Sequence, residues 1–189
     1  MSPGELREQV WDLLSSQRVA IYPTPPHGHH PNFVAVARAA ARLEQLPVFR
    51  ESAIVLAGLD HVLRSLRTAA LRSGKVLFVP HPDRSGIFIR LEGPSPLSAR
   101  RVRDLTRYGS LVKAGEFQPD LVLVGSVAVD LQGGRIGKGY GFPPARIWSP
   151  APWATLVHPL QVFETLPAEP ENQLQWLATP HRVWPGSFS

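Results

Sequence analysis

The sequence predicts an α/β protein: a three-layer α/β/α sandwich around a mostly parallel, Rossmann-like sheet. Two observations carry this. Short, nearly continuous apolar runs alternate along the chain with segments whose apolar residues recur at helical spacing, the pattern of a parallel sheet covered on both faces. Small, polar and proline residues then follow the apolar runs: Pro80-His81 after Val79, Gly125-Ser126 after Val124, His158-Pro159 after Val157, Thr179-Pro180 after Ala178. Open α/β sheets place their ligand crevice at such strand ends.

The elements follow in order. Ser2-Pro3-Gly4-Glu5 reads as a capping box with proline at the first helical position, and Leu6, Val10, Leu13 and Leu14 repeat at helical spacing, so residues 3–16 are expected to be an amphipathic helix. Residues 22–31, rich in proline and histidine, form an irregular loop. Asn32 is expected to cap an alanine-rich helix running to about Leu46. A strand over 53–57 precedes a helix over 61–73, capped by Asp60 and stopped by Gly74. Strands follow at 75–79 and 86–91, then a helix from Ser98 to about Tyr108. The uninterrupted apolar run from Leu121 to Val129 reads as the central strand, with short strands at 155–157 and 176–178.

A chain of 189 residues fits a single domain over 1–189. No apolar run reaches the ~20 residues of a membrane span, and no signal-peptide pattern opens the chain, so a cytoplasmic protein is expected. Without cysteine there is no disulfide framework, thiol nucleophile or thiolate zinc site. The net charge of +5 rests on 17 arginines against 3 lysines, a balance that suits anionic ligands. Nucleic acid is not the expected partner. Arg100, Arg103 and Arg107 share a helix face, but only Tyr108 beside them offers a base-stacking surface. His27, His29 and His30 have no carboxylate near them in sequence, so no metal site is expected there. Nothing in the sequence specifies an oligomeric state.

The segment richest in chemistry is Gly133-Gly-Arg-Ile-Gly-Lys-Gly-Tyr-Gly-Phe142. Glycines let backbone N–H groups approach an anion closely, and Arg135 and Lys138 add charge. The spacing is not that of a Walker loop, and a glycine-rich hairpin would carry the same residues. The segment resembles the glycine loop of the 5-formyltetrahydrofolate cyclo-ligase family, which reads roughly Gly-Arg/Asn-Arg-Leu-Gly-Arg/Lys-Gly-x-Gly-Tyr-Tyr-Asp. Further blocks resemble its divergent, cyclo-ligase-related branch: Arg7 to Leu13, Pro31 to Phe33, Gly74 to Pro80, Gly125 to Val129, Val157-His158, Gln161-Val162 and Thr179 to Val183.

The resemblance implies an ATP- and magnesium-dependent closure of 5-formyltetrahydrofolate to the 5,10-methenyl form, in which the formyl oxygen attacks the γ-phosphate and N10 closes the ring. It implies nucleotide and folate as ligands. Lys138 becomes the catalytic cation, and Arg7, Gly134, Arg135, Gly137, Lys138, Gly139 and Gly141 the ATP-phosphate contacts. Phe142, Gln161 and His158 become substrate contacts. Independently, from their places at strand ends, His81, Ser126, His158 and Thr179 are expected to line the substrate crevice beside the glycine loop. For Arg7 the plain alternative is an ion pair with a glutamate; for His158, a neutral ring satisfied by backbone. Three departures bear on chemistry. Pro144 and Gln175 stand where the resemblance places metal-binding aspartates, and Pro3 stands where it places a lysine. Magnesium is held through carboxylates and phosphates, so weak or absent turnover is expected. The alternative from another class is a non-catalytic nucleotide-, anion- or RNA-binding protein on the same scaffold.

Overall fold

A computed structural model describes residues 1–93, 102–141 and 150–186 of the chain. Phe142, Pro144, Ser98, Arg100, the Arg103 side chain and the last three residues lie outside the described part. The helices are α1 (Pro3–Ser16), α2 (Val36–Glu44), α3 (Pro47–Arg50), α4 (Arg64–Arg72) and α5 (Val102–Tyr108). The first strands are β1 (Ala20–Ile21), β2 (Asn32–Phe33), β3 (Ile54–Ala57), β4 (Val76–Pro80), β5 (Ile87–Leu91), β6 (Ser110–Lys113) and β7 (Leu121–Val124). The remainder are β8 (Ala128–Asp130), β9 (Gly134–Ile136), β10 (Trp153–Leu156), β11 (Val162–Phe163), β12 (Asn172–Gln173), β13 (Trp176–Ala178) and β14 (Val183–Pro185).

Eight strands form the main sheet in the order β14-β13-β10-β7-β3-β4-β5-β6. The five from β13 to β4 run parallel, and β14, β5 and β6 add antiparallel edges. Successive residues of each central strand point to opposite faces, and both faces are apolar. Val55, Leu77, Val79, Leu121 and Leu123 pack with Ala40, Leu43, Phe49, Leu66 and Leu71 from α2, α3 and α4. Leu56, Phe78 and Val122 face the other way, among Phe88, Trp153, Trp184 and Leu174. Burying each such Val or Leu side chain fully contributes about 1.5–3 kcal/mol. The fold class is therefore the α/β arrangement that the apolar runs imply.

α1 begins as read: the Ser2 hydroxyl accepts from Glu5 N at 3.1 Å while Ser2 N donates to the Glu5 carboxylate at 2.7 Å. Its buried residues Leu6, Val10, Trp11 and Leu14 cover a second, four-stranded sheet ordered β11-β8-β9-β12, against Val127, Ala128 and Ile136.

Three expectations are corrected. Asn32 does not cap a helix. It lies in β2, paired with β1, and its amide donates to Tyr22 O at 3.1 Å; α2 starts four residues later, after Ala35 in a left-handed conformation (φ 63°). Pro47 then starts the separate turn α3. The helix after Asp60 opens as a 3-10 turn, His61–Leu63, before α4. The apolar run 121–129 is not one strand. It breaks at Gly125-Ser126, with β7 in the main sheet and β8 in the small one. At the break Gly125 lets His30 pack close: a Cβ there would lie 2.5 Å from His30 Cβ.

Candidate functional site

The parallel strands β4, β3 and β7 end on one edge, and a crevice of about 630 Å³ opens there. Its wall comes from the 58–61 segment after β3, the turn from His81 to Gly86 between β4 and β5, His29 and His30 from the proline-rich loop, and Lys138, Tyr140 and Gly141. Each group descends from a strand end or from a loop that proline and glycine keep irregular.

At its centre lie His30, Asp60 and Lys138. Asp60 Oδ1 is 3.1 Å from His30 Nδ1 and 3.4 Å from Lys138 Nζ. Arg67, buried in α4, holds the segment in place by donating to the carbonyls of Gly58 and Asp60, both at 2.8 Å. Burial disfavours the ionised Asp60 carboxyl, but His30 and Lys138 outweigh it and hold its pKa well below the usual carboxylate range. His30 is pushed below the usual imidazole value, mainly by burial, with Asp60 opposing the shift. Its Nε2 accepts from Lys138 N at 3.1 Å, which puts the proton of the neutral ring on Nδ1. That Nδ1 faces Asp60 Oδ1 at 3.1 Å.

The glycine segment is half hairpin, half loop. Gly134, Arg135 and Ile136 form β9 against β8. Gly134 N donates to Asp130 Oδ1 at 2.8 Å, so this glycine is a strand residue. Arg135 is 5% exposed. Its Nε donates to Gly125 O at 2.9 Å and to Ser126 Oγ at 3.2 Å, and its Nη1 to Asn172. Burial brings its pKa down to about 10. It reaches the crevice floor with its donors already spent on the protein. Arg7 Nε donates to Gly137 O at 2.7 Å, and its Nη2 pairs with Glu171. Gly137 N donates to the same Glu171 carboxylate at 2.8 Å. Arg7, Arg135 and Glu171 thus brace the loop.

Past Lys138 the backbone is open among the described residues. The amides of Gly139, Tyr140 and Gly141 meet no acceptor among the described residues. Gly139 and Gly141 have φ of 95° and 93°, the alternation that makes an N–H nest for an anion. Lys138 Nζ lies 4.7 Å above the Tyr140 ring, and Tyr140 donates to Gly28 O.

The other sequence candidates separate. His81 lines the crevice; its Nδ1 accepts from Asp83 N and Arg84 N, both at 3.1 Å. Ser126, His158, Gln161 and Thr179 belong to the same edge or the loops after it but do not line the crevice. Ser126 is 1% exposed and bonds Thr155 Oγ1 at 2.7 Å. Gln161 is fully buried and donates to Ser126 O and Val127 O at 2.9 and 3.1 Å. His158 Nδ1 accepts from Leu160 N at 3.1 Å, and its ring meets Phe33 edge-on at 5.9 Å. Thr179 Oγ1 accepts from His181 N and Arg182 N at 3.2 Å. The expected crevice lined by all four strand-end residues is corrected on this point: short turns at β7, β10 and β13 consume their own polar groups.

Gln175 is corrected as well. It precedes β13, so it stands on the sheet edge opposite the crevice, where its Oε1 accepts from Trp153 N at 2.7 Å. Asp60 and His30 are the crevice residues that sequence reading missed in these roles. Asp60 was legible as a residue just past a parallel strand, but was assigned to a helix cap that its side chain does not make.

Comparison with known proteins fits this geometry. The model of the 5-formyltetrahydrofolate cyclo-ligase family matches residues 2–175. A methenyltetrahydrofolate synthase domain-containing protein of Bos taurus is 32% identical over 203 residues, covering 97% of this chain and 53% of that protein. Its counterpart in Danio rerio is 37% identical over 146 residues, covering 73% of this chain and 38% of that protein. The chain thus spans about half or less of the length of these relatives. The NMR structure of Aquifex aeolicus 5,10-methenyltetrahydrofolate synthetase superposes with a TM-score of 0.68 at 21% identity, over 100% of this chain and 95% of that one, which supports the shared fold. From the ordered motifs, the strand-end crevice and a match spanning most of its length, the chain belongs to the 5-formyltetrahydrofolate cyclo-ligase family.

Proposed function

We propose that the crevice binds the triphosphate of ATP beside a folate, and that cyclo-ligase turnover is weak. Lys138 and the amides of Gly139, Tyr140 and Gly141 are the phosphate ligands. The observation that carries this reading is that, among the described residues, these amides are open beside a cation-bearing crevice while those of Gly137 and Lys138 are consumed by Glu171 and His30. Preorganised donors and a cation stabilise a charged group without reorganising as it reacts. Arg84 and His81, on the turn across the crevice, add further donors.

The carboxylates support the second half. Magnesium takes oxygen ligands in near-octahedral geometry and is usually held by one or two carboxylates plus phosphates. The crevice offers Asp60, already held between His30 and Lys138, and Asp83 on an exposed turn. These residues do not compose a magnesium site. The same observation favours the second reading, a nucleotide- or anion-binding protein without turnover. The two are separated by assaying 5-formyltetrahydrofolate conversion with ATP and magnesium while ATP binding is followed by calorimetry. Binding with turnover at least about a hundredfold below an ordinary family enzyme, a barrier difference of about 2.7 kcal/mol, is the expected result. Turnover within tenfold of such an enzyme overturns the second half, and absence of ATP binding overturns the first.

A further inference from the structure

The proline-rich loop meets α1 at a place the crevice does not use. Glu8 and Asp12 lie one helical turn apart, and His27 reaches them from the loop. One ligand atom from each falls within 4.8 Å of the others. His27 Nε2 is 2.7 Å from Asp12 Oδ1.

We propose that Glu8, Asp12 and His27 form a site for a divalent transition-metal ion of the zinc class, which pins the loop to α1. Three observations support it. First, the donor set is mixed. One imidazole nitrogen with carboxylate oxygens suits zinc and its neighbours, whereas magnesium and calcium prefer oxygen alone. Three protein ligands leave a position for water, the usual open zinc geometry. Second, two carboxylates at i and i+4 repel each other on a helix, and Glu8 has no hydrogen-bond or ion-pair partner among the described residues to offset this. A cation between them removes the repulsion. Third, the imidazole is positioned. Trp11 packs on the His27 ring with centroids 5.8 Å apart, and Trp11 Nε1 donates to His29 O at 3.0 Å, tying the loop to the helix on either side of Gly28. Zinc–ligand bonds are about 2.0–2.2 Å, so small rotamer changes of exposed side chains close the site.

The consequence reaches the crevice. His29 and His30 are the next histidines along the same loop, and Tyr140 donates to Gly28 O. An ion at His27 would stiffen the segment that presents His30 to Asp60 and Lys138.

The test uses the full chain, with any affinity tag removed, at pH 7.5. Zinc is titrated by calorimetry into the wild type, His27→Ala, Asp12→Asn and, as a surface-histidine control, His181→Ala. One ion per chain is expected. His27→Ala and Asp12→Asn should each weaken its binding at least about tenfold, with His181→Ala unchanged and magnesium not binding at the same concentrations. At a hundredfold excess over Kd, zinc should raise the wild-type Tm by about 5–10 °C, and the His27→Ala Tm by far less. Equal zinc affinity in wild type and His27→Ala overturns the site, as does the absence of saturable binding. Circular dichroism of each variant identifies loss of fold; if Asp12→Asn unfolds, Glu8→Gln replaces it.

Discussion

Asp60→Asn separates the two roles that the crevice gives this carboxylate. The substitution keeps the shape and removes the charge. Oδ1 lies 3.1 Å from His30 Nδ1 and 3.4 Å from Lys138 Nζ, with the Asp60 and Lys138 side chains 15% and 19% exposed. At 3.4 Å and an effective dielectric of about 20, the Coulomb attraction to Lys138 alone is about 5 kcal/mol, most of it offset by desolvation. Breaking a fully buried pair costs about 3–5 kcal/mol and a surface pair under 1, so about 2 kcal/mol is expected here. For a chain of this size that lowers Tm by about 4–8 °C. Anion affinity should move the other way. Asp60 competes with phosphate for Lys138, so its neutralisation should tighten ATP about tenfold, or 1.4 kcal/mol. Thermal melts and ATP calorimetry, with and without magnesium, read both effects. An Asp60→Asn protein that binds ATP more weakly in the presence of magnesium would show that Asp60 holds a metal–nucleotide complex, and the reasoning would fail.

Further outcomes follow from the same geometry. His30 is neutral when folded and has its pKa depressed, so the unfolded chain binds the extra proton. The stability from keeping it neutral is present above its unfolded value of about 6.5 and is lost as pH falls below it. Urea melts should lose stability between pH 7.5 and 5.5 in part through His30. His61 and His158, also depressed mainly by burial, act in the same direction; a His30→Gln variant with the wild-type pH slope would contradict the assignment. Gly125→Ala should destabilise by about 1–3 kcal/mol, because its Cβ would lie 2.5 Å from His30 Cβ, whereas Gly115→Ala, with nothing within 4 Å, should not. Equal urea midpoints for the two would remove steric closure at Gly125 from the fold's logic.

The parallel sheet was legible because its strands are apolar on both faces, and α1 because Ser2 and Glu5 form a local capping box. Features set by distant partners were not. The close packing at Gly125 depends on His30, which lies far away in sequence, and a run of apolar residues carries no mark of it. The glycine loop could be located, but not the division of labour within it. Gly134 and Arg135 pair into a hairpin and Arg7 and Glu171 brace Gly137 through contacts that span the chain, while Gly139 to Gly141 stay open among the described residues. Asp60 carries its cap-like position in the sequence, but its charge is claimed by His30 and Lys138, which only the tertiary fold brings near.

The central claim is that Lys138 and the open amides beside it hold a phosphate. Calorimetric titration of ATP into the wild type and Lys138→Ala tests it most directly. A charge-assisted contact contributes about 1.5–3 kcal/mol, so Lys138→Ala should bind ATP about 10- to 150-fold more weakly, with a loss of Tm comparable to that of Asp60→Asn because both break the same pair. Equal affinities in the two proteins would contradict the claim and remove the loop from the site.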